Sequence, residues 1–214
     1  MVFSSMNDRL VEKIIDLLFK RNHVMVGNLI LEPEFVEEEI PPVFEGEGSF
    51  LCISPIVIKN TGDNLDNKQF IHPTIDQFSD HLYDSVIYQM EKSGLYSAED
   101  LASYFKFQIV PDQDYLDRIS RQEKKFARIY TLVVDGDLKE VRGYTFPFKL
   151  YAAPEVQSFV FFNGLGELTH QGFGMIDLVD NKQVKRKKIH ERILPEFDET
   201  PEFATVRKHQ LGQE

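Results

Sequence analysis

The order of helix-like and strand-like apolar patterns constrains the fold of this chain most. Apolar residues recur at helical spacing over residues 74–94, and Pro154 marks the start of a second, shorter helix of about eight residues. Strand-like runs lie before, between and after the two helices, and Asp135-Gly136 predicts a hairpin turn between two of them. When the run "KFQIV" (106–110) is treated as peripheral, the order is β-α-β-β-α-β, which is typical of the ferredoxin-like fold.

The residues before this block contain only half of such a unit. "VFSS" (2–5) predicts a short strand, residues 7–22 a helix, and residues 23–39 a further strand, before a linker marked by Pro41-Pro42. We therefore predict an α+β chain with tandem ferredoxin-like (RRM-like) domains, the first of them incomplete. The predicted boundaries are 1–47 for the second half of the N-terminal domain, 48–180 for the C-terminal domain with a glycine-rich loop, and 181–214 for a charged tail.

The charge of the chain is unevenly distributed. The formal net charge is -11, but residues 1–114 hold 8 Lys/Arg against 20 Asp/Glu, whereas residues 115–214 hold 16 against 15. The second half therefore offers more basic surface to a polyanion than the total charge indicates. The single cysteine, Cys52, excludes disulfides and zinc clusters, and no apolar run is long enough to span a membrane, so we expect a cytoplasmic protein without a membrane partner.

Four glycines within eleven residues interrupt the pattern between the second helix and the last strand. They are Gly164, Gly166, Gly172 and Gly174. A dinucleotide-binding fingerprint does not fit, because Thr169 occupies its third glycine position and a strand rather than a helix follows. A Walker loop does not fit either, because the final Gly-Lys-Ser/Thr is absent. The simplest interpretation is a connection whose glycines allow close packing of the backbone, and we expect no cofactor.

This stretch and an earlier strand together resemble a known family. "CISPIVIKN" (52–60) and "GYTFPFKLYAAPEVQSFVFFNGLGELTHQGFGMIDL" (143–178) are similar to the CRISPR-associated endoribonucleases of the sixth Cas family, which process repeat RNA. The glycines and Phe173 match the family's glycine-rich loop, which runs from a helix into a strand and ends in Gly-Phe-Gly. Ser54-Pro55-Ile56-Val57 matches the strand that opens the family's second domain. The resemblance covers about residues 2–180.

The resemblance implies tandem ferredoxin-like domains and site-specific, metal-independent cleavage of CRISPR repeat RNA to generate guide RNAs. In such cleavage a base deprotonates the 2′-hydroxyl, this oxygen attacks the adjacent phosphate, and an acid protonates the leaving oxygen. The family's catalytic histidine usually lies in or after the first helix of the first domain, a region that this chain, starting at Met1, is expected to lack. The catalytic residues are therefore left unassigned, and we expect residues 1–214 alone to cut repeat RNA slowly or not at all.

The candidate RNA-binding residues lie in the glycine-rich loop and in two basic tracts. They are Gly164, Gly166, Thr169, His170, Gln171, Gly172, Phe173, Gly174, Arg121, Lys124, Lys125, Lys185 and Arg186. In the loop, backbone N–H groups could bind a phosphate directly. Of the six histidines, His170 is the best placed for RNA, and binding is favoured over catalysis there. The others, which we interpret as structural or exposed, are His23, His72, His81, His190 and His209. Arg118, Arg128, Lys182, Lys187 and Lys188 are further basic candidates.

Three interpretations of the function stay open. The first is binding and cleavage of repeat RNA, and the second is a non-cleaving family member or truncated fragment that only holds RNA. The third is a ferredoxin-like interaction or regulatory domain without an RNA role. Other CRISPR effector subunits and a second copy of the chain are open as partners. The acidic run between residues 32 and 47 lacks partnering histidines, so no metal site is expected.

Overall fold

The computed structural model describes residues 2–21, 23–58, 71–134, 136–179 and 185–192. Its helices are α1 (Asp8–Phe19), α2 (Asp76–Ser93), α3 (Ala98–Ser103), α4 (Gln113–Arg121) and α5 (Pro154–Asn163). Its strands are β1 (Val24–Val26), β2 (Leu29–Leu31), β3 (Phe35–Glu39), β4 (Glu47–Cys52), β5 (Ile56–Val57), β6 (Phe107–Pro111), β7 (Ala127–Val134), β8 (Asp137–Tyr144), β9 (Phe148–Ala152), β10 (Ile176–Leu178) and β11 (Arg186–Glu191). The chain divides into unit 1 (Met1–Ile14 and Glu39–Arg186) and unit 2 (Ile15–Glu38 and Lys187–Glu214).

Unit 1 is built on a four-stranded antiparallel sheet with the order β10-β4-β9-β6. Along the chain these strands are the fourth, first, third and second of the sheet, with α2 between the first two and α5 between the last two. This order arises from two consecutive strand–helix–strand units. In each unit the two strands are separated in the sheet by one strand of the other unit. The predicted ferredoxin-like α+β fold is confirmed.

The assignment of "KFQIV" as peripheral is wrong. These residues form most of β6, which pairs with β9 along its whole length and buries Ile109 in the core. The β7–β8 hairpin is instead outside this sheet and forms a separate three-stranded sheet, β5-β8-β7, within unit 1. Both segments are strand-like runs rich in apolar residues, and such a run predicts a strand without specifying its partner. The ferredoxin-like order therefore holds with a different second strand.

The core of unit 1 fills the space between one face of the four-stranded sheet and helices α2 and α5. Phe50 and Leu150 project from the sheet, Leu82 from α2 and Val160 from α5, and all four are completely buried. Each such side chain contributes about 1.5–3 kcal/mol by leaving water. Helix α2 ends where Gly94 adopts the left-handed conformation, with φ 66°. The core thus fixes both helices, and with them the end of α5 at which the glycine-rich stretch begins.

Cys52 lies at the end of β4 and is partly buried. Its thiol donates to the carbonyl oxygen of Phe146 over 3.2 Å. Burial disfavours the thiolate and raises the pKa of Cys52 to about 11. The thiol is therefore protonated at neutral pH, as a structural cysteine requires.

Two local predictions near the N-terminus are wrong in detail. "VFSS" (2–5) forms no strand, and residues 23–39 form a β1–β2 hairpin followed by β3 rather than one strand. Within the predicted charged tail, β11 pairs with β3 in a two-stranded sheet. Residues 181–184 and 193–214 of that tail lie outside the described residues. The domain boundaries at 47/48 and 180/181 stay a prediction.

Candidate nucleic-acid interface

The glycine-rich loop begins where α5 ends. Gly164 terminates the helix with φ 90°, and its N–H donates to the carbonyl oxygen of Val160 over 2.9 Å. Leu165 follows and is completely buried, so the chain turns back into the core immediately after the helix. The N–H of Leu165 donates to the carbonyl oxygen of Gly174 over 2.8 Å. This hydrogen bond joins the two ends of the loop, so residues 166–173 form a closed loop between them.

The base of the loop is hydrogen-bonded to the segment Ser54-Pro55-Ile56-Val57. The N–H groups of Gly174 and Glu167 donate to the carbonyl oxygens of Pro55 and Val57, each over 2.8 Å. The N–H of Met175 donates to the Ser54 hydroxyl oxygen over 2.8 Å. The two sequence motifs that carried the family resemblance are therefore one structural element. Each motif provides hydrogen-bond partners for backbone groups of the other motif that would otherwise be unpaired.

Two of the glycines are required by close backbone approach. A Cβ atom on Gly166 would lie 2.5 Å from the carbonyl oxygen of Val57, and one on Gly174 would collide with the carbonyl oxygen of Leu165. Both residues also have positive φ, 91° and 75°, which side-chain-bearing residues rarely adopt. The Gln89 amide holds the same place from α2, since its Nε2 donates to the carbonyl oxygen of Gly166 over 2.6 Å.

The loop has a buried base and an exposed tip. Gly164, Gly166 and Gly174 are buried, which supports the packing interpretation of these three glycines. At the tip, residues 169–171 form a single 3-10 turn between Leu168 and Gly172, both in the left-handed region. His170, Gln171 and Gly172 are exposed there and Thr169 is half-buried. Of the predicted loop residues, those at the tip are the ones that a ligand in solvent can reach.

Phe173 connects the loop to the β7–β8 hairpin. Its ring meets the ring of Tyr130 on β7 edge-on, with centroids 5.6 Å apart. Arg128 lies two residues earlier on β7, so its side chain leaves the strand on the same side as Tyr130, and it is exposed. The hairpin thus brings one basic side chain to the side of the strand that contacts the loop.

The basic tract before β7 forms the end of helix α4 and the turn after it. Leu116 and Ile119 of α4 are buried, and the opposite side of the helix is left to polar and charged residues. Arg118, Arg121, Lys124 and Lys125 are all exposed. No ion pair between described residues involves Arg121, Lys124 or Lys125. These cations, continuous in sequence with β7, are available to an anionic ligand.

The second predicted tract is placed differently. Lys185 is exposed, and the Arg186 Nε atom forms an ion pair with a Glu39 carboxylate oxygen over 2.8 Å. Among the described residues, no hydrogen bond or ion pair joins either residue to the glycine-rich loop. Lys187 is exposed, and Lys188 pairs with Glu191 over 2.8 Å. Lys182 lies outside the described residues.

The remaining histidines are distributed over the chain. The Nδ1 atom of His72 lies 2.7 Å from the Thr74 hydroxyl and its ring contacts Phe126. His81 is half-buried in α2, His23 is exposed, and the ring of the exposed His190 lies tilted against the ring of Phe19 within unit 2, with centroids 4.2 Å apart. His209 lies outside the described residues. Within the described ranges, no group of three or more His, Cys, Asp or Glu is arranged to hold a metal ion.

Three residues that support the loop were not among the predicted site residues. They are Ser54 and Gln89, which hold its base, and Tyr130, which contacts its aromatic residue. Ser54 lies in the Ser-Pro-Ile-Val motif, and the hydrogen-bonding needs of backbone groups beside that motif are a signal from which its role could be predicted. Gln89 and Tyr130 carry no local signal, because 77 residues separate Gln89 from Gly166 and only the fold brings them together.

Comparison with known proteins agrees with this geometry. A family model for the C-terminal part of the CRISPR-associated protein Cas6 matches residues 37–178, which include both motifs. The chain belongs to the Cas6 family. No curated protein matches the chain, and no helix in the described part of this Cas6 chain is long and apolar enough to cross a membrane.

Solved structures show the same fold as this Cas6 chain. A Cas6-related protein from Pyrococcus furiosus aligns with TM-score 0.63 and 21% identity, covering 84% of this chain and 67% of the other. A RAMP protein described as binding different RNA substrates aligns with TM-score 0.56 and 22% identity over 83% of this chain and 67% of its own. A CRISPR-associated protein Cas6 aligns with TM-score 0.56 and 20% identity, covering 83% and 66% of the two chains. This chain therefore spans about two thirds of each relative.

Proposed function

We propose that this chain binds CRISPR repeat RNA through the exposed tip of its glycine-rich loop and the basic segment that runs from α4 into β7. The observation that carries the proposal is the Phe173–Tyr130 contact, because it joins the loop to the strand that follows the exposed cations. Membership of the Cas6 family supports repeat RNA as the ligand, as does a structural relative described as binding different RNA substrates.

The chemistry of the two surfaces suits different parts of an RNA. Arg121, Lys124 and Lys125 neutralise phosphates and displace their counterions, which contributes affinity without reading sequence. At the loop tip, His170 and Gln171 carry side-chain donors and acceptors that can reach base edges or the 2′-hydroxyl. The buried glycines contribute indirectly, since they let the loop fold back closely enough to present its tip.

Binding to labelled repeat RNA, measured by fluorescence anisotropy at increasing salt, tests the proposal. For three to five phosphate contacts on a single strand, we expect the logarithm of the association constant to fall with the logarithm of salt with a slope of about -2 to -3.5. The controls are an RNA of the same length and scrambled sequence, and an uncharged oligonucleotide analogue of the repeat. Equal binding of the uncharged analogue without a salt slope would contradict the proposal and favour an interaction domain without an RNA role.

Metal-independent, site-specific cleavage is a second candidate function, favoured by the exposed position of His170 at the loop tip. Histidine can donate or accept a proton near neutral pH, and general acid–base catalysis typically contributes about 100- to 10,000-fold. In EDTA, on a denaturing gel, we expect this chain to bind repeat RNA while cutting it slowly or not at all. Rapid cutting at one position would contradict that expectation. His170→Ala would then decide the role of this residue, since lost cutting with retained binding assigns His170 to the chemistry.

A further inference from the structure

The peptide group between Gly166 and Glu167 is held on both sides. Its carbonyl oxygen accepts a hydrogen bond from the Nε2 atom of Gln89 on α2 over 2.6 Å. Its N–H donates to the carbonyl oxygen of Val57 over 2.8 Å. Because a carbonyl oxygen can only accept, the nitrogen of the Gln89 amide must face it. Two separate elements, α2 and β5, therefore fix the orientation of one peptide plane at the start of the loop.

The Gln89 side chain is itself held in one orientation. Its Nε2 atom also donates to the hydroxyl oxygen of Ser85, one turn earlier on α2, over 3.1 Å. The two acceptors account for both hydrogens of the amide nitrogen. Ser85 is buried and Gln89 half-buried, and Leu82 and Val86 anchor this part of α2 in the core. The amide therefore connects a fixed helix to the loop.

The tip of the loop depends on the two ends of the loop for its position. Among the described residues, the hydrogen bonds of residues 168–172 are internal to the tip, and they join Gln171 to Leu168 and Gly172 to Thr169. These bonds shape the turn but do not attach it to the rest of the protein. The position of the tip is therefore set by the residues on either side of it, and one of these attachments is the peptide group held by α2 and β5.

We propose that Gln89 is a positioning residue for RNA binding, one that sets where the loop tip lies without contacting RNA itself. The inference rests on the proposed function, because it takes the exposed tip as a contact for RNA. Without the Gln89 donor, the carbonyl oxygen of the buried Gly166 has lost its partner, and an unpaired buried acceptor is costly. Rotating this peptide group towards water relieves that cost, but it removes the Glu167 N–H from Val57 and displaces the tip.

Gln89→Met tests the proposal, because methionine has a similar length and volume but no hydrogen-bond donor. We expect the variant to bind labelled repeat RNA about tenfold more weakly than the wild type. The salt slope should be unchanged, because the basic segment from α4 into β7 is intact. The matched control is Gln77→Met, which makes the same substitution at an exposed position in the first turn of α2 and should bind like the wild type. Circular dichroism establishes that each variant is folded.

Each outcome of these titrations decides between the two proposals. If the wild type binds RNA and folded Gln89→Met binds it equally well, the positioning role is overturned and the proposed function stands. A wild type that binds no repeat RNA would overturn both. Equal losses in Gln89→Met and Gln77→Met, or a flatter salt slope in Gln89→Met, would also overturn the positioning role, since the loss would not originate at the loop.

Amide hydrogen exchange without RNA tests the attachment itself. The Glu167 N–H donates to Val57 in the same peptide group that Gln89 holds. Local opening of this group controls its exchange, and we expect exchange at least tenfold faster in Gln89→Met than in the wild type or Gln77→Met. Unchanged exchange would overturn the proposal whatever the RNA titrations show.

Gln89→Glu makes the test reversible within one protein sample. At about pH 8 the introduced carboxylate presents only acceptors to the Gly166 carbonyl oxygen, whereas at about pH 5 its protonated form can donate. Burial and this hydrogen bond both favour the neutral form and raise the pKa of the introduced carboxyl, so the donor returns as the pH falls. The wild type at each pH accounts for the ionisable neighbours, which are Lys92 on α2 and Glu167 and His170 in the loop.

We expect RNA affinity and Glu167 exchange in Gln89→Glu, each relative to the wild type, to be impaired at about pH 8 and largely recovered at about pH 5. Recovery of the exchange rate, which is measured without RNA, excludes repulsion between the carboxylate and phosphates as the cause. An impairment of both quantities that persists in acid would overturn the positioning role of Gln89.

Discussion

Gly174→Ala is expected to lower the free energy of unfolding by about 3 kcal/mol or more, which is the range of the largest single-residue effects. The added Cβ atom would collide with the backbone carbonyl of Leu165, and the φ of 75° is itself unfavourable for alanine. Leu165 cannot retreat easily, because it is completely buried and its N–H donates to the carbonyl oxygen of Gly174. Urea denaturation followed by circular dichroism measures the effect, and loss of RNA binding should accompany it.

Gly172→Ala is the matched control for this variant. Gly172 has an equally positive φ of 86°, but a Cβ atom there would have no heavy atom within 4 Å. Only the conformational cost of about 1–2 kcal/mol therefore applies. Equal destabilisation by the two substitutions would contradict the packing explanation. Gly172→Val adds a second test, because the larger side chain at the exposed tip should weaken RNA binding while the protein stays folded. Normal binding by this folded variant would show that RNA does not approach the backbone there.

Replacing Arg121, Lys124 and Lys125 together with alanine is expected to weaken repeat RNA binding by about tenfold to a hundredfold at low salt. The loss of three phosphate contacts should also reduce the steepness of the salt dependence by about 2. The fold should be unaffected, because all three side chains are exposed and outside the ion pairs between described residues. Anisotropy titrations of the wild type and the variant at several salt concentrations measure both quantities.

The control for this triple variant removes the same amount of charge elsewhere. Lys13, Lys92 and Lys106 are exposed on α1, at the end of α2 and before β6. Replacing them with alanine changes the net charge equally but leaves the α4–β7 segment intact. A similar loss of affinity in both triple variants would show that only the total charge matters, and the basic segment would then lose its role in the proposed interface.

The two motifs of the family could be recognised from the sequence because each is a local arrangement of residue types. Four closely spaced glycines before a strand indicate a backbone with positive φ or close contacts, and the structure shows both at Gly166 and Gly174. The sequence left two physical explanations for them, phosphate contact and close packing. The glycines at the base of the loop are buried, which supports close packing as their role. The tip at His170 and Gln171 is exposed, and contact between this tip and RNA stays a prediction.

The two principal helices of unit 1 were predictable because helical hydrogen bonds and side-chain periodicity are local. The helix predicted over residues 74–94 matches α2 nearly to its ends, and the helix predicted to begin at Pro154 matches the start of α5, which is slightly longer than expected. Charge was equally informative, since the basic excess of the second half includes the exposed cations of the α4–β7 segment. The composition of the chain and the order of its helices and strands therefore determined the fold class, the two principal helices and the basic region proposed to bind an anionic ligand.

Strand pairing was decided only by the tertiary structure. The runs around Ile109 in β6 and Tyr130 in β7 both predict strands, yet β6 lies in the ferredoxin-like sheet and β7 does not. A strand-like run does not specify its hydrogen-bond partner, because that partner is set by how the strands and helices pack together. For the same reason the sequence could not show that Gln89 supports the glycine-rich loop, because that contact exists only once α2 and the loop have packed together.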